Sequence, residues 1–308
     1  MFKIIKAAAA VVLVFLIFCA CGREKSASHT EFLLDTAVSV GVYGKNAESA
    51  AAQITEVLRG QDSVLSSLYD SPADIAIADA SDLADKTAAL NKLYGYDVNI
   101  FCGSLTRLWG ISDENPRLPT EGEIAEALRV IPKDKSGIVP GKTFIDPGAV
   151  GKGYTLDRAK ETLIGADIDY AVVSTESSVL LFGEKPGGEP FYTGIKNPSG
   201  GYIGYVKTGA AFISTAGGAE RFFEADGKEY IHILDLKNGY PAESDLASVT
   251  VIIPADETDG GIKSDFLSTL MFIAGAENLD KFGVTYAAVG TDGTVYTNTE
   301  VFTDYDRP

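Results

Sequence analysis

The sequence predicts an α+β fold of mixed sheets flanked by helices, and three observations carry that expectation. Apolar residues recur at helical spacing from Ala47 to Leu68 and again from Ile262 to Ala274. Alternating or β-branched runs, Phe32 to Tyr43 and Ser248 to Ile253 above all, read as strands. The two kinds of segment mix without a strict βαβ rhythm, which is the pattern of α+β chains.

Taken in order, the first segment stands outside that fold. Lys3 and Lys6 precede an apolar run from Ala7 to Ala20, the charged and apolar parts of an export signal. The run falls short of the roughly 20 residues that span a bilayer. Cys21 after the small Ala20 reads as a bacterial lipoprotein site, cut between the two and lipidated on Cys21; an ordinary signal peptide with a chance cysteine is the alternative. Residues 1–20 are thus the signal. Residues 21–31 are polar and read as a tether, which puts His29 outside the fold. The expected folded part is 32–308, roughly 280 residues and long enough for a substantial core.

Within it, Phe32 to Tyr43 is a strand and Ala47 to Leu68 a helix, whereas Ser71 to Thr87 is small-residue-rich and reads as irregular. Thr120 followed by Glu123 is a capping box, opening a helix that ends near Ile131. Tyr170 to Phe182 reads as a single strand. Ser199-Gly200-Gly201 turns between strands. Ala211 to Ser214, Arg221 to Glu224 and Tyr230 to Asp235 are short strands, and Ser248 to Ile253 is strongly β. Ile262 to Ala274 is a helix that Ala276 to Phe282 continues or restarts. Tyr286 to Val289 and Thr294 to Asn298 form a hairpin around Asp292-Gly293.

Charge and cysteines narrow the function. A net charge of −17 makes a poor nucleic-acid binder, because nothing neutralises a phosphate backbone broadly. A phosphate ligand would need a metal or local dipoles. With the signal removed, Cys21 carries lipid and Cys102 has no partner for a disulfide, so Cys102 reads as a small buried hydrophobe.

The stretch Asp146-Pro147-Gly148-Ala149-Val150-Gly151-Lys152-Gly153-Tyr154 is the most pointed motif. Glycine turns that feed a helix N-terminus suit phosphate. The spacing fails both the Walker pattern and the dinucleotide fingerprint, so the segment is either an unusual phosphate site or a turn with no ligand. Asp265 and Thr269 lie four apart on one helical face with Ser268 beside them: a partial hard-cation site, or merely a polar face. His232 ends a strand with Asp235 close by, as a general base near neutral pH or as a structural histidine. Tyr69 and Asp97, taken singly, are packing and surface residues, and Trp109 is core.

Together these pieces resemble the ApbE family of flavin transferases (FAD:protein FMN transferases). The marks run in family order from about Phe32 to Phe302: Leu34-Asp35-Thr36, the Ser-x-Tyr69 run, Gly95-Tyr96-Asp97, Leu108-Trp109-Gly110, and the Asp146 to Tyr154 stretch. Ser214-Thr215-Ala216-Gly217 with Glu220-Arg221, His232-Ile233-Leu234-Asp235 through Gly239-Tyr240-Pro241, Ser248 to Val251, and Asp265 to Thr269 complete them.

The resemblance implies a single ApbE-like domain and an Mg²⁺-dependent enzyme. It would move FMN from FAD to a Ser or Thr hydroxyl of an extracytoplasmic flavoprotein, releasing AMP. By family position the metal falls to the carbonyl of Ala149 with Asp265, Thr269 and Ser268. FAD falls to Leu34, Tyr69, Gly95, Tyr96, Asp97, Asp146 and Lys152, and the base to His232. The implied place is the extracytoplasmic face of a cell membrane, held by lipid on Cys21. An Mg²⁺-dependent FAD pyrophosphatase and a non-catalytic flavin-binding lipoprotein are the competing readings. The chain departs from the family pattern with Glu176-Ser177 where paired glycines are frequent. It also has Asp79 where Asn is frequent, which would set a negative charge near an anionic ligand.

Overall fold

The computed structural model describes residues 25–95, 98–112 and 116–303. The expectations for residues 1–24, including lipidation of Cys21, and those for Tyr96 and Asp97 lie outside the described residues. Strands β1 (Ser26–Leu33) and β2 (Thr36–Tyr43) open the fold, joined by the turn Leu34-Asp35. Helices α1 (Ala47–Asp70), α2 (Ala73–Tyr94), α3 (Gly103–Trp109) and α4 (Glu121–Arg129) follow, then α5 (Gly151–Leu163) after the glycine-rich turn. The next stretch is β: β3 (Tyr170–Ser174), β4 (Ser178–Gly183), β5 (Phe191–Lys196), β6 (Tyr202–Thr208) and β7 (Ala211–Gly217). Short strands β8 (Phe222–Ala225), β9 (Lys228–Ile231), β10 (Leu234–Asp235) and β11 (Tyr240–Pro241) lead to the long β12 (Leu246–Pro254). Helix α6 (Gly260–Ala274) and the hairpin β13 (Thr285–Gly290) and β14 (Val295–Thr297) come last.

The frame is an eight-stranded sheet in the order β1-β2-β3-β4-β7-β12-β13-β14, with every neighbouring pair antiparallel. Helices α1, α5 and α6 pack against it, with α5 also packing on both α1 and α6, burying Ile54, Leu58, Leu156, Phe212, Phe266 and Met271 in the main core. The hairpin of β5 and β6 makes a second core with Leu181, Phe191, Ile213 and Ile252. A satellite cluster gathers Trp109, Leu105, Ile124 and Phe223 from α3, α4 and β8. Among the described residues no helix is long and apolar enough to cross a bilayer.

Four expectations are corrected. The tether does not extend to residue 31, because residues 26–31 are the greater part of β1. Their alternation is real but polar. His29 and Glu31 face α1, where the His29 ring bonds Thr55 Oγ1 at 3.0 Å and Glu31 pairs with Arg59. A strand whose inward positions find polar partners shows no hydrophobic period. Residues 71–87 are not irregular: α2 covers most of them. Its buried stripe, Ala73, Ala76, Ala80, Leu83, Ala84 and Thr87, keeps helical spacing with side chains too small to announce it. Asp79 lies on the exposed side of that helix and does not line the cavity described below, so its charge is not set against a ligand there. Tyr170 to Phe182 is a hairpin broken at Thr175-Glu176-Ser177. Of the two expectations for residues 276–282 the second holds: after Gly275 leaves α6 at φ 80° the helix restarts, as a 3₁₀ segment.

Candidate active site

The glycine segment is a tight turn followed at once by helix. Asp146 Oδ1 accepts the Gly148 N–H at 2.8 Å, and the Gly151 N–H bonds the Pro147 carbonyl at 2.7 Å. One of its glycines answers to packing. A Cβ on Gly153 would lie 2.1 Å from the Gly261 carbonyl oxygen, so only glycine lets α5 cross α6 this closely. At that crossing the Gly153 N–H donates to Asp265 Oδ2 at 2.6 Å. One turn further along α5, the buried Asp157 accepts the N–H groups of Gly261 and Ile262, each at 2.9 Å, and caps the start of α6. Burial pushes its carboxyl up to about 6 against those two bonds.

Asp265 is itself buried. Its second oxygen accepts Ser178 Oγ–H from β4 at 2.6 Å. Desolvation raises its pKa, while these bonds and the positive charge of Lys152 pull the other way. Ser268, 2% exposed, donates to the Asp265 carbonyl at 3.0 Å, and Thr269 is half-buried one position on. Lys152 reaches from the first turn of α5 to Ser177 Oγ, 2.7 Å away.

His232 sits in the bend between β9 and β10. Its Nδ1 lies 3.1 Å from the Arg221 carbonyl. A carbonyl only accepts, so in the neutral ring Nδ1 carries the proton and Nε2 keeps its lone pair. Burial lowers the ring pKa to about 4, helped by the charges of Arg221 and Lys152. Asp235 is not the orienting partner that sequence proximity suggests: its Oδ1 accepts the Lys237 N–H at 2.9 Å within its own turn. The pairing of β8 with β9 brings Arg221 to the histidine instead.

A cavity of about 400 Å³ joins these groups. Its lining includes Leu34, Tyr69, Asp146, Ala149, Lys152, His232, Asp265, Ser268 and Thr269, so the fold brings together most of the residues picked out from sequence. Gly95, the left-handed C-cap of α2, is not among the lining residues; the Asn91 side chain of α2 bonds both N–H and carbonyl of Val98. The Arg107 guanidinium lies 4.9 Å from the centre of the Tyr69 ring and 4.0 Å from that of Phe144. Trp109 is core as expected, donating Nε1–H to the Gly239 carbonyl at 2.8 Å, and it also lines the cavity. Cys102 is half-buried rather than a core residue and also lines the cavity, where desolvation pushes its thiol well up. Sequence reading missed Asp62 and Ser178. Asp62 sits in a polar stretch of α1 and Ser178 in a serine run, and neither position carries a local signal.

The donor set suits a hard cation only in part. Among the described residues there is no cluster of three or more His, Cys, Asp or Glu. One desolvated carboxylate beside hydroxyls and a carbonyl leaves room for oxygens of a ligand, which is how Mg²⁺ is commonly held.

Comparison with known proteins bears on the family and the fold. The model of the ApbE family matches residues 34–287. A FAD:protein FMN transferase of Klebsiella pneumoniae is 33% identical over 192 residues, which cover 58% of this chain and 57% of that protein. The chain thus spans little more than half the length of that relative. One of Treponema pallidum is 27% identical over 304 residues, covering 83% of this chain and 82% of the relative. The crystal structure of the ApbE protein of Thermotoga maritima superposes with a TM-score of 0.74 at 27% identity, covering 89% of this chain and 97% of that one. The apo flavinyl transferase ApbE of Pseudomonas stutzeri shares the fold with a TM-score of 0.72 at 21% identity, covering 92% and 96%.

Proposed function

Since the chain belongs to the ApbE family, we propose that it transfers FMN from FAD to a Ser or Thr hydroxyl of an acceptor protein and releases AMP. The observation that carries this reading is a single cavity. It holds a desolvated carboxylate, a lysine cation and a neutral histidine with a free Nε2.

Each group has a task in that chemistry. Asp265, Thr269, Ser268 and the Ala149 carbonyl would hold Mg²⁺, which when bound supplies positive charge against the pyrophosphate. Lys152 adds a fixed cation on the same side. His232 Nε2 takes the proton of the acceptor hydroxyl as its oxygen bonds to the FMN-side phosphorus. The bond from that phosphorus to the bridging oxygen breaks, and its electron pair leaves with AMP. Tyr69 offers a face to one ring of FAD, while Leu34 and Asp146 line the approach. Lipid on Cys21 would hold the enzyme on the extracytoplasmic face of a membrane, where the acceptor flavoprotein would also lie.

The test is to incubate the full chain with FAD, Mg²⁺ and candidate extracytoplasmic flavoproteins. Flavin fluorescence should appear on one acceptor band and vanish when its target Thr or Ser becomes Ala. Release of AMP and free FMN with no labelled protein would replace transfer by hydrolysis. Binding of FAD without turnover would leave a flavin carrier. For the anchor, the wild-type chain should fractionate with membranes and a Cys21→Ser variant should not.

A further inference from the structure

Leu34, Asp35 and Glu176 are three of the five non-glycine residues with positive φ among the described residues, at 54°, 57° and 65°. All three belong to turns at the cavity. Leu34 and Asp35 line it in the turn between β1 and β2, and Glu176 precedes the lining residue Ser177 in the turn between β3 and β4. Two-residue turns of the first kind ordinarily take Asn or Gly. A bulky residue held at positive φ costs stability, and such residues persist only where their surroundings fix them.

The surroundings here are specific. The Leu34 N–H donates to Asp62 Oδ1 from α1 at 2.7 Å. Thr36, buried at the start of β2, donates its hydroxyl to the Glu176 carboxylate and so ties the two strained turns together. The next residue along, Ser177, accepts the Lys152 ammonium at 2.7 Å. Its carbonyl accepts the Thr215 N–H of β7 at 2.8 Å, which fixes that side of the turn. Glu176 is thus the one residue that both bonds the first turn and sets the backbone carrying the anchor of Lys152.

We propose that Glu176 is a positioning residue. Through Thr36 it latches the β1–β2 turn to the β3–β4 turn, and through Ser177 it aims Lys152 into the cavity. The proposal rests on the flavin-transfer reading for the ligand that Lys152 meets, the pyrophosphate of FAD. It accepts backbone strain as the cost of that aim. A glycine at this position would relax the strain and lose the latch.

The experiment uses Glu176→Gly, Glu176→Gln and Thr36→Val in the full chain, with three readouts: thermal melting, KM for FAD, and the rate at which acetic anhydride acetylates Lys152, mapped by mass spectrometry without FAD. Glu176→Gly should melt at the wild-type temperature or above it. Its KM should rise roughly three- to tenfold, the size of one lost hydrogen-bond tie, and Lys152 should be acetylated several-fold faster. Thr36→Val should match it in KM and acetylation, and Glu176→Gln, which keeps an acceptor oxygen, should restore both. Unchanged Lys152 acetylation in Glu176→Gly overturns the latch. So does a lower melting temperature accompanied by parallel losses in kcat and KM, which would mark a packing residue. If the wild-type chain fails to bind FAD while the acetylation rates respond as stated, the latch stands and the flavin-transfer reading falls.

Discussion

Gly153 and Gly261 meet backbone to backbone where α5 crosses α6. A Cβ on either would fall 2.1 to 2.2 Å from the carbonyl oxygen of the other. The same crossing carries the Gly153 N–H to Asp265, so packing and site chemistry share one contact. Gly153→Ala should therefore destabilise the fold by about 1–3 kcal/mol, the usual cost of forced overpacking, and should lower activity by shifting Asp265. Urea unfolding and FAD turnover check both parts. Gly60 in α1 is the control, because a Cβ there meets nothing within 4 Å. Gly60→Ala should stabilise the protein by roughly 0.5–1 kcal/mol. If both variants behave alike, the crossing is looser than described.

Asp265 is the group on which the metal reading depends. Asp265→Asn keeps the shape of the side chain and removes its charge; its one oxygen can still accept the Gly153 N–H, and its amide N–H can donate to Ser178 Oγ once that hydroxyl turns. Its raised pKa means that the carboxylate is ionised at a desolvation cost. The amide should leave the melting temperature unchanged or raise it. Turnover should fall by about two to three orders of magnitude, the loss seen when a charge-stabilising group is removed. Turnover near the wild-type level would take Asp265 out of the chemistry.

These residues also show which parts of the protein were legible in sequence. The Thr120 and Glu123 capping box was readable because both of its bonds close within four residues, and both form. Asp265 and Thr269 were readable as a pair because helical period is local. Ser178 was not, since its bond to Asp265 joins residues 87 apart and follows from strand order alone. The partner of His232 was misread for the same reason. Asp235 is near in sequence, but the β8–β9 hairpin delivers the Arg221 carbonyl. Strand β1 and helix α2 were hidden by composition, one facing polar partners and the other packing through alanine.

Arg107 supports the cavity wall from behind. Its guanidinium lies against the rings of Tyr69 and Phe144, and its buried Nε has no hydrogen-bond partner among the described residues. The rings rather than Nε bonding define its position. Removing it should cost roughly 0.5–2 kcal/mol, the range for partly desolvated cation–π contacts, and should let the Tyr69 ring swing. Arg107→Ala is expected to raise KM for FAD more than it lowers kcat, with Arg107→Lys recovering part of the loss. Equal changes in kcat and KM would show that Arg107 acts on the chemical step instead.

The pH response separates two desolvated groups whose signs oppose. His232 titrates near 4 in the folded chain against 6.5 for an ordinary histidine. The unfolded chain therefore binds the extra proton first, and stability is full above about 6.5 and lost as pH falls through about 4. Asp157 runs the other way. Its folded value of about 6 lies above the ordinary 3.8, so its contribution is present at low pH and lost as pH rises through about 6. Between 4 and 6 the two oppose each other. His232→Gln removes one side of the balance, so its melting temperature should rise relative to wild type as pH falls from 6.5 to 4. The same titration governs activity. With Nε2 as the base, kcat/KM should fall on the acid side with an apparent pKa near 4. An acid limb near 6.5, together with identical melting curves for His232→Gln and wild type, would mean that the ring is not desolvated; wild-type kcat/KM in His232→Gln would remove it as the base.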